Sequence, residues 1–355
     1  MKKRKIITLS VIGGFLLVLL IAVLIQTGTG GSYTDRDGQY KHLTTAASFN
    51  HIYKHPLWEG GGKNLYSPWS DDTVRDLTGF MSVRALCHWC GWDAEAAVDG
   101  MNYLIDCANA GKLQIMNVYS DEEIAAHPEY AKAQAVFYQG NPDMPVAIVA
   151  AGGGYTQVCS MFEGFPYAEE LNRAGYHVFV LKYRVGNDIV IDEDVAEAIN
   201  PTVSEASKDM QALIRLISRS EDDLGIRLDG YSLWGSSAGG GLITAFSFGY
   251  EGPSFEELDI PEPSALILVY THAAYINQFE FTEGDPPVYT IVGVGDAYGG
   301  DRIMDTVVPK MESAGMTVLY HKYENYPHGS GLGVGTDAEG WIDEAMAFWE
   351  EHRNE

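Results

Sequence analysis

Basic residues are scarce in this chain. Its 355 residues include 23 Lys and Arg against 49 Asp and Glu, a formal charge of −26. Four of the 23 are Lys2, Lys3, Arg4 and Lys5, and the first acidic residue is Asp35. The body beyond residue 30 therefore holds the remaining 19 basic residues against 49 acidic ones, a balance of −30. Phosphate backbones and anionic lipid surfaces need Lys and Arg, so such a body repels them. No nucleic acid partner is expected. Neutral partners suit it better.

Cysteine is also sparse, with Cys87, Cys90, Cys107 and Cys159 alone. A chain of this length buries a core large enough to fold without disulfides or metal. Cys87-His88-Trp89-Cys90 is a C-x-x-C, but no second C-x-x-C follows. Two of four ligands do not make a metal site, and none is read here. Pairing of Cys87 or Cys90 with Cys107, and four buried free thiols, both remain open. Internal repeats and low-complexity blocks are missing. At 46% hydrophobic and 20% charged, the composition is that of a folded globular protein.

Against these absences stands one long apolar run. Ile6 to Ile25 is 20 residues without a charge, directly behind the basic cluster. A helix of that length spans a hydrocarbon core of about 30 Å. The cationic flank stays cytoplasmic, which would place the rest outside. Neither an A-x-A cleavage site nor a lipidatable Cys follows the run. The expectation is a signal anchor over 1–26, with the body of the chain extracellular on a single pass. Secretion after cleavage is the alternative.

Residues 27–40 are rich in Gly, Thr and Ser and read as a tether. Residues 41–70 show no period and are expected to be irregular structure packed on the body. Within them, His51, Tyr53, His55 and Trp58 read as packing rather than as a carbohydrate surface. Asp71–Cys90 and Asp93–Ala110 look helical, with Asp71 or Asp72 as the first cap and Gly91 and Gly111 as stops. The 71–111 extension could form a lid or a side buttress.

From Lys112, short β-branched or aromatic runs alternate with helical stretches. The runs cover 113–119, 135–139, 146–151, 177–183, 231–235, 265–270, 288–294 and 317–323. The first three come close together and suit neighbouring strands. Eight strands alternating with helices predict an α/β fold, a mostly parallel sheet flanked by helices, over 112–355. Functional groups in such folds gather at the carboxyl ends of the strands.

The fifth strand runs into Gly235-Ser236-Ser237-Ala238-Gly239-Gly240-Gly241. This is G-x-S-x-G between a strand and a helix, where small residues permit a sharp turn and expose the central serine. Ser237 sits at the centre and is the candidate nucleophile; Ser236 precedes the turn. A serine needs a base and an oxyanion site. After the third strand comes Ala151-Gly152-Gly153-Gly154-Tyr155, whose backbone N–H groups can face an oxyanion. Gly153, Gly154 and Ala238 are the candidate donors. After the last strand, His328 lies in a Gly- and Pro-rich loop and is the candidate base. His321 lies within a strand and His352 in a terminal helix. After the seventh strand comes Asp296, the candidate acid. Asp301 reads as a helix cap and Asp305 as a helix residue.

The order Ser237, Asp296, His328 is that of the α/β-hydrolases. From about Lys112 to Glu355 the chain resembles the esterase/lipase group of that fold, which includes hormone-sensitive-lipase-like carboxylesterases and acetyl-xylan or feruloyl esterases. Its GSSAGGG is similar to that group's G-D-S-A-G-G, and AGGGY to its H-G-G-G-Y. Ser236 stands where Asp is usual and Ala151 where His is usual; neither is a triad position. The G-V-G-D around Asp296 is closer to xylan-esterase and peptidase-like branches. The resemblance implies a serine carboxylic-ester hydrolase that works through an acyl-enzyme and needs no cofactor. Only Thr271 to Pro287 joins strands six and seven, where many lipases insert a lid. That points to short-acyl or carbohydrate-linked esters. A serine peptidase or amidase of the same fold, or an inactive surface-binding module, are the alternatives.

Overall fold

The computed structural model describes residues 32–58, 79–186, 201–248 and 255–353. Eight strands form one sheet: β1 Leu113–Asn117, β2 Gln134–Tyr138, β3 Val146–Ala150, β4 His177–Lys182, β5 Ser232–Ser236, β6 Ala265–Val269, β7 Val288–Gly293 and β8 Val318–Tyr323. Their spatial order is β1-β2-β4-β3-β5-β6-β7-β8. β1 and β2, and β2 and β4, pair antiparallel; every later pair is parallel. The expectation that the first three strands are neighbours fails at β3, which β4 separates from β2. Between β2 and β3 the chain passes the start of β4, where Gly140 N–H donates to His177 Nδ1 and Asn141 N–H to Gly175 O.

The central strands are fully buried because both faces are covered. Side chains alternate between two core clusters. Ala147 and Val149 of β3 join one with Trp234, Ile267 and Trp341; Ile148 and Ala150 join the other with Leu233, Leu242 and Met304. This is the period-2 alternation of a strand. The main helices are α1 Val83–Cys90, α2 Ala94–Asn109, α3 Phe165–Arg173, α4 Pro201–Arg219, α5 Ala238–Ser247, α6 Gly300–Ser313 and α7 Trp341–His352.

The described part of the amino-terminal extension packs on α3 through α2. Asp93 caps α2 by accepting from Glu95 N–H and Ala96 N–H. At Gly100 the α2 backbone meets α3 so closely that a Cβ would lie 2.7 Å from Pro166 N. α1 is capped by Ser82 and stops at the left-handed Gly91. Its expected start at Asp71 lies outside the described residues. Between the two helices, Trp92 packs on Phe162 at a tilt with centroids 4.2 Å apart and meets Gly329, beside His328. The tether reading of 27–40 differs at its end: Tyr40 exchanges two hydrogen bonds with the Asn109 side chain. Among residues 41–58, Phe49, Ile52, His55 and Trp58 are buried, and Trp58 donates to Ile52 O.

The apolar segment 6–25, expected to cross a membrane, lies outside the described residues. Among the described residues no helix is long and apolar enough to cross one. The thiols of Cys87, Cys90, Cys107 and Cys159 are free, with Cys90 exposed and the other three buried.

Candidate active site

Ser237 sits between β5 and α5 with φ 49° and ψ −119°. That is a strained conformation for a residue with a side chain. Its neighbours make the turn possible. A Cβ on Gly239 would collide with Ala150 O, and one on Gly235 would lie 2.6 Å from Gly239 O. The turn is also pinned from the next strand: Ser237 N–H donates to Val269 O, and His272 N–H donates to Ser237 O.

His328 enters from the loop between β8 and α7. Its Nε2 lies 2.8 Å from Ser237 Oγ, and its Nδ1 lies 2.7 Å from Asp296 Oδ2. Three loops at the carboxyl ends of β5, β7 and β8 thus bring the three side chains into one line. The imidazole is packed between two tyrosine rings, Tyr270 at 4.8 Å and Tyr298 at 4.5 Å between centroids. The loop itself is held at Gly331, whose carbonyl accepts from Tyr326 OH and Trp341 Nε1.

Asp296 is 6% exposed. Its Oδ1 accepts from Tyr298 N–H and Gly300 N–H, which leaves Oδ2 for the imidazole. Burial alone would raise its pKa. The hydrogen bond and charge of His328, together with the two N–H groups, outweigh burial and hold the carboxyl below its usual range. The rival acids sit elsewhere. Asp301 is the second residue of α6, not its cap, which is Gly299; its carboxylate accepts from Gly295 N–H and so braces the Asp296 turn. Asp305 pairs with Lys322. His321 lies in β8, and His352 bonds Phe348 O within α7.

The candidate oxyanion donors border the same serine. A Cβ on Gly152 would lie 2.7 Å from Ser237 Cβ, so the glycine loop runs against the candidate nucleophile. Gly153 and Gly154 both take positive φ. The loop closes on itself as Gly153 O accepts from Thr156 N–H and Gln157 N–H. Gly152 N–H is engaged by Glu163 Oε2 at 2.7 Å. Ala238 N–H opens α5, where the first-turn N–H groups have no helical partner.

Four side chains here carry no motif signal: Glu163, Tyr167, Tyr270 and Tyr298. Glu163 falls in the run Met161-Phe162-Glu163-Gly164-Phe165, and a carboxylate amid buried apolar neighbours was its only clue. His272 also stands at the rim, its ring 6.2 Å from Tyr298; burial and the charge of His328 lower its pKa. A cavity of about 240 Å³, lined by residues including Tyr103, Asp106, Cys107 and Asn141, lies near the β2–β3 turn, at the opposite end of the parallel strands from Ser237. Among the described residues no cluster of His, Cys, Asp and Glu could hold a metal.

No family model and no curated protein matches the sequence. Solved structures do. An α/β hydrolase from a deep-sea metagenome library of the Medee basin is similar at 18% identity and TM-score 0.52, over 68% of this chain and 98% of that one. An acetyl ester-xyloside bifunctional hydrolase from Caldicellulosiruptor lactoaceticus is similar at 18% identity and TM-score 0.54, over 67% and 96%. A thermophilic esterase from Thermogutta terrifontis, solved with propionate bound, is similar at 17% identity and TM-score 0.55, over 68% and 94%. Another structure of the Thermogutta esterase is phosphoramylated by tabun. At these identities the likeness is one of fold.

Proposed function

The chain has the α/β-hydrolase fold, and we propose that it is a serine carboxylic-ester hydrolase with Ser237 as nucleophile, His328 as base and Asp296 as the orienting acid. One observation carries this reading: a single imidazole lies within hydrogen-bond reach of a strained serine on one side and a buried carboxylate on the other.

In the reaction, Ser237 Oγ attacks the ester carbonyl carbon as His328 Nε2 takes the hydroxyl proton. The carbonyl oxygen becomes an oxyanion facing the N–H groups of Gly153, Gly154 and Ala238. Asp296 stays ionised and stabilises the imidazolium through Nδ1–H. The intermediate collapses, the C–O bond to the alcohol breaks, and His328 returns its proton to the leaving alkoxide. Water then adds to the acyl-serine by the same proton route, and the carboxylic acid leaves.

The substrate class we propose is short-acyl or carbohydrate-linked esters. Two features support it. The connection from β6 to β7 is short, and its regular structure is a single 3₁₀ turn, Ala274–Gln278. Solved structures of the same fold include an acetyl ester-xyloside hydrolase and a propionate-bound esterase. The strongly acidic composition fits neutral substrates. We also propose that residues 6–25 anchor the enzyme in a membrane with its catalytic domain outside, on the strength of the uncharged run behind Lys2–Lys5.

A panel of p-nitrophenyl acetate, acetylated xylose, long-chain triglyceride and p-nitroanilide amide tests the activity and its class. Hydrolysis of the acetyl esters, lost on Ser237→Ala by about 10⁴-fold or more, is the expected result. Faster cleavage of the amide would make the protein a peptidase, and faster cleavage of the triglyceride a lipase.

A further inference from the structure

Glu163 is buried, at 5% exposure, and has no step in the proposed reaction. It lies in a π-helical turn, Ser160–Gly164, that leads into α3. Its two oxygens point to different loops. Oε2 accepts from Gly152 N–H at 2.7 Å, and Oε1 accepts from Tyr270 OH at 2.9 Å.

Each partner leads to a separate part of the site. Gly152 begins the glycine loop and abuts Ser237. Tyr270 follows β6 with a positive φ of 35°, packs its tilted ring on His328, and accepts from Gly331 N–H at 3.1 Å. Tyr270 OH also lies 3.5 Å from Tyr167 OH, which accepts from Ser236 Oγ at 3.0 Å. With Glu163 as terminal acceptor, the protons can run in one sense: Ser236 to Tyr167, Tyr167 to Tyr270, Tyr270 to Glu163. The chain touches the residue before the nucleophile, the ring and loop of the base, and the start of the oxyanion loop.

We propose that Glu163 is a positioning residue that sets the oxyanion loop and the histidine loop against Ser237 through Gly152 and Tyr270. The proposal rests on the esterase reading for its effect on rate. The carboxylate acts at a distance from the substrate, by holding donors where charge develops. Burial raises its pKa, while Gly152 N–H, Tyr270 OH and the charge of His328 pull the other way. An ionised carboxylate can accept from both partners at once. A glutamine keeps one oxygen for Gly152 but must turn an NH₂ toward Tyr270, so it restores half of the arrangement.

The test compares wild type, Glu163→Ala, Glu163→Gln and Tyr270→Phe on p-nitrophenyl acetate, with active sites titrated by a fluorophosphonate. Glu163→Ala is expected to lose about 10²–10³ in kcat per titrated site with KM changed little. Glu163→Gln and Tyr270→Phe are each expected to lose about tenfold. Tyr270→Phe added to Glu163→Ala should cost little more, because the two act as one unit. Should Glu163→Ala not fold, the Gln and Phe variants decide. Full kcat per site with only a lower Tm, or a raised KM with kcat intact, overturns the proposal.

A readout without turnover separates this from failure of the esterase reading. In ¹⁵N-glycine-labelled protein, Glu163→Gln should shift the amide signals of both Gly152 and Gly331. If those signals move while wild type cleaves no ester, the coupling stands and the activity reading falls. If wild type is active and the Gly331 signal stays fixed, Glu163 does not reach the histidine loop and the proposal falls alone.

Discussion

Gly152 and Ser237 are in such close contact that a methyl group on the glycine would lie 2.7 Å from the serine Cβ. The same methyl would lie 2.7 Å from Glu163 Oε2. None of these neighbours can move cheaply: Ser237 is fixed by Val269 O and His272 N–H, and Glu163 is buried. Gly152→Ala is therefore expected to displace the glycine loop and lower kcat by about 10²-fold, with a stability loss of about 1–3 kcal/mol. Steady-state kinetics beside urea unfolding would show both.

Asp296 has two roles, which separate with pH. Asp296→Asn keeps the shape but removes the charge that favours the imidazolium, so kcat should fall about 10³–10⁴-fold. Its folded pKa is depressed below the unfolded value of about 3.9. A depressed acid contributes stability that is present above the unfolded pKa and lost as pH falls through the folded one. The urea midpoint of wild type should exceed that of Asp296→Asn near neutrality, and the gap should close as pH drops below about 4. A gap that widens in acid would contradict the assignment of the shift.

Arg184 and Asp209 tie the end of β4 to α4. Arg184 Nε and backbone N–H both donate to the Asp209 carboxylate, at 2.8 and 2.6 Å, and Tyr119 OH donates to it as well. The Asp209 side chain is fully buried. Asp209→Ala leaves the guanidinium only the part-exposed Glu205 and strips Arg184 N–H and Tyr119 OH of their acceptor, which should cost about 2–3 kcal/mol in urea unfolding.

Tyr298 is 63% exposed although its ring lies against His328. An exposed aromatic beside the base offers a stacking face to a sugar ring or an aromatic leaving group. Tyr298→Ala should raise KM for phenyl or glycosyl acetates about three- to tenfold, and leave KM for ethyl acetate nearly unchanged.

Much of this was legible in the chain, for identifiable reasons. β3 reads VAIVA and β6 ALILV because strands buried on both faces favour apolar residues. Ser237, Asp296 and His328 were legible because each follows a strand within a few residues, and strand ends are where the sheet delivers side chains. The order of β2, β3 and β4 was not. A short β2–β3 turn suggests a hairpin, and only pairing with the distant β4 shows that the turn steps past it. Glu163 and Tyr270 were not legible either. The hydrogen bond that joins them spans 107 residues of sequence, and neither sits in a recurring motif. Asp301 reads as a cap from its place before a helix, but the left-handed Gly299 takes that position and frees the carboxylate to hold Gly295.

The central claim is that Ser237 is an activated nucleophile. The most direct measurement is labelling of the folded protein with a fluorophosphonate, followed by peptide mapping of the adduct by mass spectrometry. One phosphonyl group per chain on Ser237, abolished by Ser237→Ala and strongly slowed by substitution of His328, is the result this account predicts. No adduct on the folded protein, or an adduct on Ser236 or another serine that persists in Ser237→Ala, would contradict it.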